Sequence, residues 1–323
     1  MSRDTHELSV IICTYTEARW DDLVDAVSSA LRQRQPPREV VVVVDHNPAL
    51  FTRVRRDLRD VVAIENVEER GLSGGRNSGV RVARGDVVAF LDDDAVAAPD
   101  WSEMLLQHYS DARVYGVGGA IEPMWPGARP GWFPAEFDWV VGCTYRGLPD
   151  STSAVRNLIG CNMSFRRAVF EEIDGFRNGI GRVGTRPIGC EETELCIRVR
   201  KRWPACVLLY EPGARVGHKV PEARTRWSYF RSRCYSEGLS KALVSRLVGA
   251  SDGLASERAY TLRTLPAGVA RGLGATLSDR SLHGISRAGA IVAGLSVTTA
   301  GYVVGTVSQR LAPTGALRAR ALS

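Results

Sequence analysis

The seven cysteines of this 323-residue chain form no framework. Cys13, Cys143, Cys161, Cys190, Cys196, Cys206 and Cys234 are odd in number and never spaced as Cys-x-x-Cys, which argues against a disulfide scaffold and against a zinc ribbon. A reducing cytoplasm fits such usage. Met1–Glu7 lacks the apolar core of a signal peptide, so none is expected. No Gly-x-Gly-x-x-Gly follows the first apolar run and no Gly-x-x-x-x-Gly-Lys-[Ser/Thr] occurs, so neither a dinucleotide fingerprint nor a P-loop is supported. Acids are scarce late in the chain: residues 215–323 hold 16 Lys+Arg against 5 Asp+Glu, and residues 1–214 hold 26 against 31. A basic tail suits nucleic acid, an anionic lipid surface or an acidic substrate. With no nucleic-acid-binding motif, nucleic acid ranks last.

What is present is apolar material for a large core, 44% of residues, arranged in short runs. Leu8–Cys13, residues 40–44, 61–64 and 86–91 read as strands, and Trp20–Gln33 and Ser73–Ala83 as helices between them. Alternation of this kind predicts right-handed βαβ crossovers and a mainly parallel sheet. Ligands in such sheets lie at the carboxyl ends of the strands, where the sequence puts Thr14, Tyr15, Asp45 and the run Asp92-Asp93-Asp94. Three carboxylates at one strand end repel one another unless a cation holds them. An acidic surface turn is the alternative, but Ala95-Val96-Ala97-Ala98 is too apolar for a purely solvated loop. Beyond Asp100 the pattern predicts a helix at 101–110, a strand at 114–121, a Trp-, Gly- and Pro-rich loop region at 123–149, a helix from Glu191 to about Arg202 and a strand at 205–210.

Six segments in order resemble family 2 of the glycosyltransferases: SVIICTYTE at 9–17, VVVVDHN at 41–47, GLSGGRNSGV at 71–80, VVAFLDDDA at 87–95, GCNMSFRRAVFEEIDGF at 160–176 and CEETELCIR at 190–198. The resemblance, over about residues 7–220, implies the α/β nucleotide-diphospho-sugar transferase (GT-A) fold and an inverting transfer from a nucleotide-sugar donor to an acceptor hydroxyl or phosphate. It implies that Thr14, Tyr15 and Glu17 lie against the nucleotide and that Asp45 receives the base. Arg76, with Asn77, would contact the diphosphate or brace the acidic loop. Asp92-x-Asp94 takes the place of the DxD motif: Asp92 and Asp93 fall with the nucleotide, and Asp94 with a divalent cation, Mg²⁺ or Mn²⁺. His218 stands where some relatives place a histidine beside the metal or diphosphate. A packed or solvated histidine is its alternative.

Cys190-Glu191-Glu192-Thr193-Glu194-Leu195 is similar to the family's G-E-D-x-[DE]-L segment. Glu192 takes the position of the catalytic base and Glu191 is its neighbour and rival. Here Glu replaces Asp and Cys190 replaces Gly, moving the carboxylate by about one methylene where near-attack geometry matters. Acids in a first helical turn also need no catalysis to explain them, since the helix dipole favours them.

The sequence divides into a catalytic domain at 1–225 and a basic helical region at 226–323. In that region residues 288–309 carry no charge and contain Gly301-x-x-x-Gly305, a pattern for close helix packing in lipid or in a soluble core. Two readings stand: attachment to the inner face of the cell membrane, with a lipid-linked carbohydrate as acceptor, and a soluble appendage. A sugar-phosphate nucleotidyltransferase and a non-catalytic glycan-binding protein are the rivals in function.

Overall fold

The computed structural model describes residues 6–181, 189–249, 257–279 and 282–311. The chain forms two compact units. One comprises Met1–Glu122, Pro149–Arg186 and Glu191–His218, and the other Pro123–Leu148, Pro187–Cys190 and Lys219–Ser323.

In the first unit β1 (Leu8–Thr14), β2 (Glu39–Val44), β3 (Val62–Glu65) and β4 (Val87–Asp92) pair in parallel in the order β3-β2-β1-β4. Their helical crossovers are α1 (Trp20–Leu31), α2 (Pro48–Asp57) and α3 (Leu72–Val82). The second half of the sheet is antiparallel at each described pairing. β8 (Asn162–Arg166) runs against β4 and against β6 (Val114–Met124), and β9 (Val207–Lys219) runs against β5 (Ala95–Ala97) and β7 (Ser153–Ala154). The sheet is therefore mixed, where the sequence pattern predicts a mainly parallel one. The sequence pattern misses this because polar residues, Gly and Pro interrupt the apolar runs of β8 and β9, and the strands they pair with are remote in sequence.

The buried strand face carries Ile11, Val41, Val43, Val88, Phe90, Met163 and Phe165. Against it pack α3, α5 (Ala168–Ile173) and α6 (Glu191–Arg202), the last through Leu195, Cys196 and Val199. Phe90 meets Phe176 edge to face at 5.3 Å, an orientation favoured by the ring quadrupoles. The glycines of α3 serve this packing. A Cβ on Gly79 would stand 2.6 Å from Ile11 Cγ2, so only glycine lets the helix lie this close to β1.

The second unit contains α7 (Trp227–Val248), α8 (Leu265–Asp279) and α9 (His283–Leu311). Residues from the Trp-rich 123–149 segment pack as an aromatic cluster, with Trp132, Phe133 and Phe137 each within 5.5 Å of the Phe230 ring. Helices α7 and α9 cross where side chains are missing. A Cβ on Gly238 would lie 2.1 Å from the Thr298 carbonyl, and one on Gly301 would lie 2.2 Å from that of Tyr235. The GxxxG glycines thus bring two backbones together, as small residues do at helix interfaces. Among the described residues His283–Arg310 is the one helix long and apolar enough to cross a membrane, with mean hydropathy 1.6 over its most apolar window.

Candidate active site

Strand β4 ends at Asp92, and a turn carries Asp93 and Asp94 into β5. Parallel register sets Asp92 opposite Cys13 of β1, which brings Thr14 beside the acidic turn. Thr14 Oγ1 donates to Asp93 Oδ2 at 2.8 Å. Arg19, from the short helical turn before α1, lies 2.9 Å from Asp93 Oδ1 and 3.2 Å from Asp94 Oδ2. Both carboxylates are buried. Burial, then the charge of Asp94, pushes the Asp93 carboxyl up to about 6 against the pull of Arg19 and Thr14.

The antiparallel half of the sheet completes this rim. Register puts His218 of β9 opposite Ala95, so His218 Nε2 comes within 3.2 Å of Asp94 Oδ1. Asn162 of β8 pairs with Leu91, which carries Cys161 to the end of β4. One ligand atom each from Asp92, Cys161 and His218 fall within 4.8 Å of one another. Carboxylate oxygens with an imidazole nitrogen suit Mn²⁺ or Mg²⁺, and the thiol adds a softer donor. The buried charge of Asp94 that helps raise Asp93 also favours a cation beside them. On both counts the residues present fit a divalent ion.

Arg76 links this rim to the start of α6. Its guanidinium, 2% exposed, bonds Glu191 Oε1 at 2.9 Å and the Gly160 carbonyl at 3.0 Å, and lies 3.6 Å from Asp92 Oδ1. The rings of Phe90 and Phe176 flank it at 5.6 and 5.4 Å. Burial works against the charge of Arg76, but Glu191 and Asp92 outweigh it and hold its pKa above the usual value. Glu191 is buried with this partner. Glu194, with no exposed side-chain surface, pairs with Arg198 at 2.8 Å and Arg177 at 3.1 Å. Glu192 is half-buried, its Oε1 3.4 Å from Thr193 Oγ1, and its charge also acts on Arg76.

Asp45 closes β2 and holds the turn before α3. Its Oδ1 accepts from Asn66 Nδ2 at 2.6 Å and lies 2.8 Å from His46 Nδ1, while Oδ2 accepts the Gly71 N–H at 2.9 Å. Tyr15 and Glu17 are exposed at the end of β1, and Arg53 reaches Glu17 at 3.5 Å.

Two members of the rim escape a reading of the sequence. Arg19 follows Glu17 in an ordinary helix start, and nothing in its neighbours marks a partner of the acid run. Cys161 lies in a quoted segment, but its place depends on the β4–β8 register, which no local periodicity encodes.

A mixed sheet with an acidic turn at the end of its fourth strand and an acidic helix start bridged to it is the arrangement of a GT-A glycosyltransferase. Residues 9–174 match the family described as glycosyl transferase family 2. The chain is 37% identical over 310 residues to a glucosyl-dolichyl phosphate glucuronosyltransferase of Haloferax volcanii, covering 94% of this chain and 98% of that one. It is 24% identical over 248 residues to the succinoglycan biosynthesis protein ExoM of Rhizobium meliloti, covering 74% and 75%. In fold it resembles the mannosyltransferase PcManGT from Pyrobaculum calidifontis, solved in complex with GDP-Man and Mn²⁺, at a TM-score of 0.56 and 18% identity over 91% of this chain and 87% of that one. The chain belongs to glycosyl transferase family 2, and it is a glycosyltransferase.

Proposed function

We propose that this enzyme carries a sugar, of the hexuronic acid class, from a nucleoside diphosphate to a hydroxyl of a carbohydrate held on a polyprenyl phosphate, with inversion at the anomeric carbon. The observation that carries the site assignment is the Arg76 bridge, which ties the acidic turn of β4 to the first turn of α6. The substrate class is supported by the near full-length likeness to the Haloferax glucuronosyltransferase.

In this reading Thr14, Tyr15, Glu17 and Asp45 line the nucleotide, with Asp92 at the ribose and Asp93 fixing the turn through Thr14 and Arg19. Asp94 and His218, with Asp92 and Cys161 at hand, hold the divalent cation. When bound, that ion supplies Lewis-acid stabilisation of the departing diphosphate. Glu192 takes the proton of the acceptor hydroxyl as that oxygen attacks the anomeric carbon, the work of a general base. Glu191 is buried in its bond to Arg76 while Glu192 keeps partial exposure, which supports Glu192 over Glu191 for proton transfer. The enclosed guanidinium of Arg76 supports a positioning role beneath the donor. We read residues 1–225 as the catalytic domain and 226–323 as a region attaching the enzyme to the cytoplasmic membrane face, supported by the helix at His283–Arg310.

Incubation of the full chain with Mn²⁺, a panel of labelled nucleotide sugars and a glycosylated polyprenyl phosphate tests the reading. Transfer of a hexuronosyl group with release of nucleoside diphosphate is expected. Transfer of a neutral hexose alone removes the substrate class, and retention of anomeric configuration removes Glu192 as base.

A further inference from the structure

The second unit contains a cavity of about 650 Å³ whose lining combines apolar and basic side chains. Phe133, Ala275 and Ile291 supply apolar surface. Four arginines line it as well, from the 123–149 segment and from helices α8 and α9: Arg129, Arg146, Arg271 and Arg287. Their nearby carboxylates do not match them in number. Arg129 is committed to Asp138 by two bonds of 2.7 Å. Arg271, at 2.6 Å, and Arg146, at 3.9 Å, share the single carboxylate of Glu136, which is 4% exposed. Arg287 donates Nε to the His283 carbonyl at 3.1 Å, a neutral partner. Among the described residues, four guanidinium charges and two carboxylates thus gather at a cavity that also has apolar lining.

We infer that this cavity binds the phosphate head of a lipid, with the first part of its hydrocarbon chain on the apolar lining. A phosphate joined to both a sugar and a polyprenol carries about −1 at pH 7, a charge that the guanidinium surplus on this lining meets. Guanidinium groups hold phosphate by paired, charge-assisted bonds, a geometry that ammonium groups lack. The apolar lining separates this ligand from a free anion, because burial of CH₂ groups contributes only when a chain is attached. Exposed apolar side chains on the same helices, Leu277 at 84% and Ile285 at 50%, suit the surroundings in which such a lipid is met. The inference rests on the lipid-linked acceptor proposed above and assigns its phosphate a site in the second unit.

The test is calorimetric titration of the full chain, with no nucleotide sugar present, with farnesyl phosphate, farnesol and inorganic phosphate in turn. Farnesyl phosphate is expected to bind at least about tenfold more tightly than either of the others. The doubly substituted Arg146→Gln, Arg287→Gln protein, at exposed positions, should lose about 10- to 100-fold of that affinity with an unchanged melting temperature. Ala275→Phe, which fills space at the apolar lining, should weaken farnesyl phosphate and leave inorganic phosphate unaffected. Equal affinity for inorganic phosphate makes this a free-anion site, and equal affinity for farnesol makes it an apolar pocket; either overturns the inference. So does farnesyl phosphate binding that neither variant changes. Binding is read without transfer, so a chain that binds farnesyl phosphate but never glycosylates a lipid acceptor overturns the proposed function alone.

Discussion

Three acids stand at the end of β4 and three at the start of α6, and the fold treats them differently. At Asp92–Asp94, two buried carboxylates share Arg19, and Asp92 has Arg76 at 3.6 Å. At Glu191–Glu194, Glu191 has Arg76 at 2.9 Å, and Glu194 alone has Arg198 and Arg177. The first cluster is left with negative charge that burial makes costly, as the raised pKa of Asp93 records. In the second, Glu191 and Glu194 are buried in ion pairs, and Glu192 is the partly exposed acid of the three. The two clusters thus differ in how burial and ion pairing are distributed over their acids, not in the number of acids.

The comparison breaks most visibly at Glu192. Glu192→Gln keeps the size of the side chain but cannot take a proton, so turnover should fall by about 10²- to 10⁴-fold while donor affinity, read by titration, stays within about twofold. Next comes the residue that joins the clusters. Arg76→Met leaves Glu191 buried beside Asp92 without its counter-charge, and urea denaturation should show a loss of about 3–5 kcal/mol. A loss under about 1 kcal/mol would mean that the two clusters are held independently.

Asp94→Asn sharpens the other side. It removes one charge from the turn while keeping the oxygen that faces His218, so Mn²⁺-dependent nucleotide affinity should drop by at least the roughly 10- to 100-fold that even an outer partner of a metal site is worth. Titration with and without EDTA separates the effect from unfolding. Equal, metal-dependent affinity in both proteins would remove Asp94 from the cation site.

Much of the first cluster is legible in the sequence because its cause is local. An apolar run closed by a polar residue marks the carboxyl end of a parallel strand, where ligands bind in such sheets, and β1, β2 and β4 repeat that pattern at Thr14, Asp45 and Asp92. The antiparallel strands are not legible in this way. His218 lies inside β9 rather than after it, because the strand runs through Pro212 and Gly213 to Lys219, where propensity alone would end it. Arg19 and Cys161 join the rim through register and a helical turn, so their partners are 74 residues or more distant or sit on a neighbouring strand. In the second unit the GxxxG pattern is readable as a packing face, but its partner Gly238 is not, since a lone glycine in a helix gives no direction.

Glu194→Gln is the smallest expected effect and the closest test of the partition within α6. Glu194 is as buried as any acid here, which taken alone suggests a large cost. Its partners reduce it. The side chains of Arg198 and Arg177 keep 20% and 46% of their exposure, so water screens the charges that would be left, and Arg198 retains its bonds to the carbonyls of Ile173 and Gly175. A neutral amide of the same shape still accepts one hydrogen bond. Denaturation should therefore show a loss of about 1–2 kcal/mol. Turnover per folded molecule should be unchanged, because the carboxylate faces the body of the first unit through Arg198 and not the acidic turn. A turnover loss as deep as that of Glu192→Gln would show that the acids of α6 act together, and the proposal of Glu192 as the one base would fail.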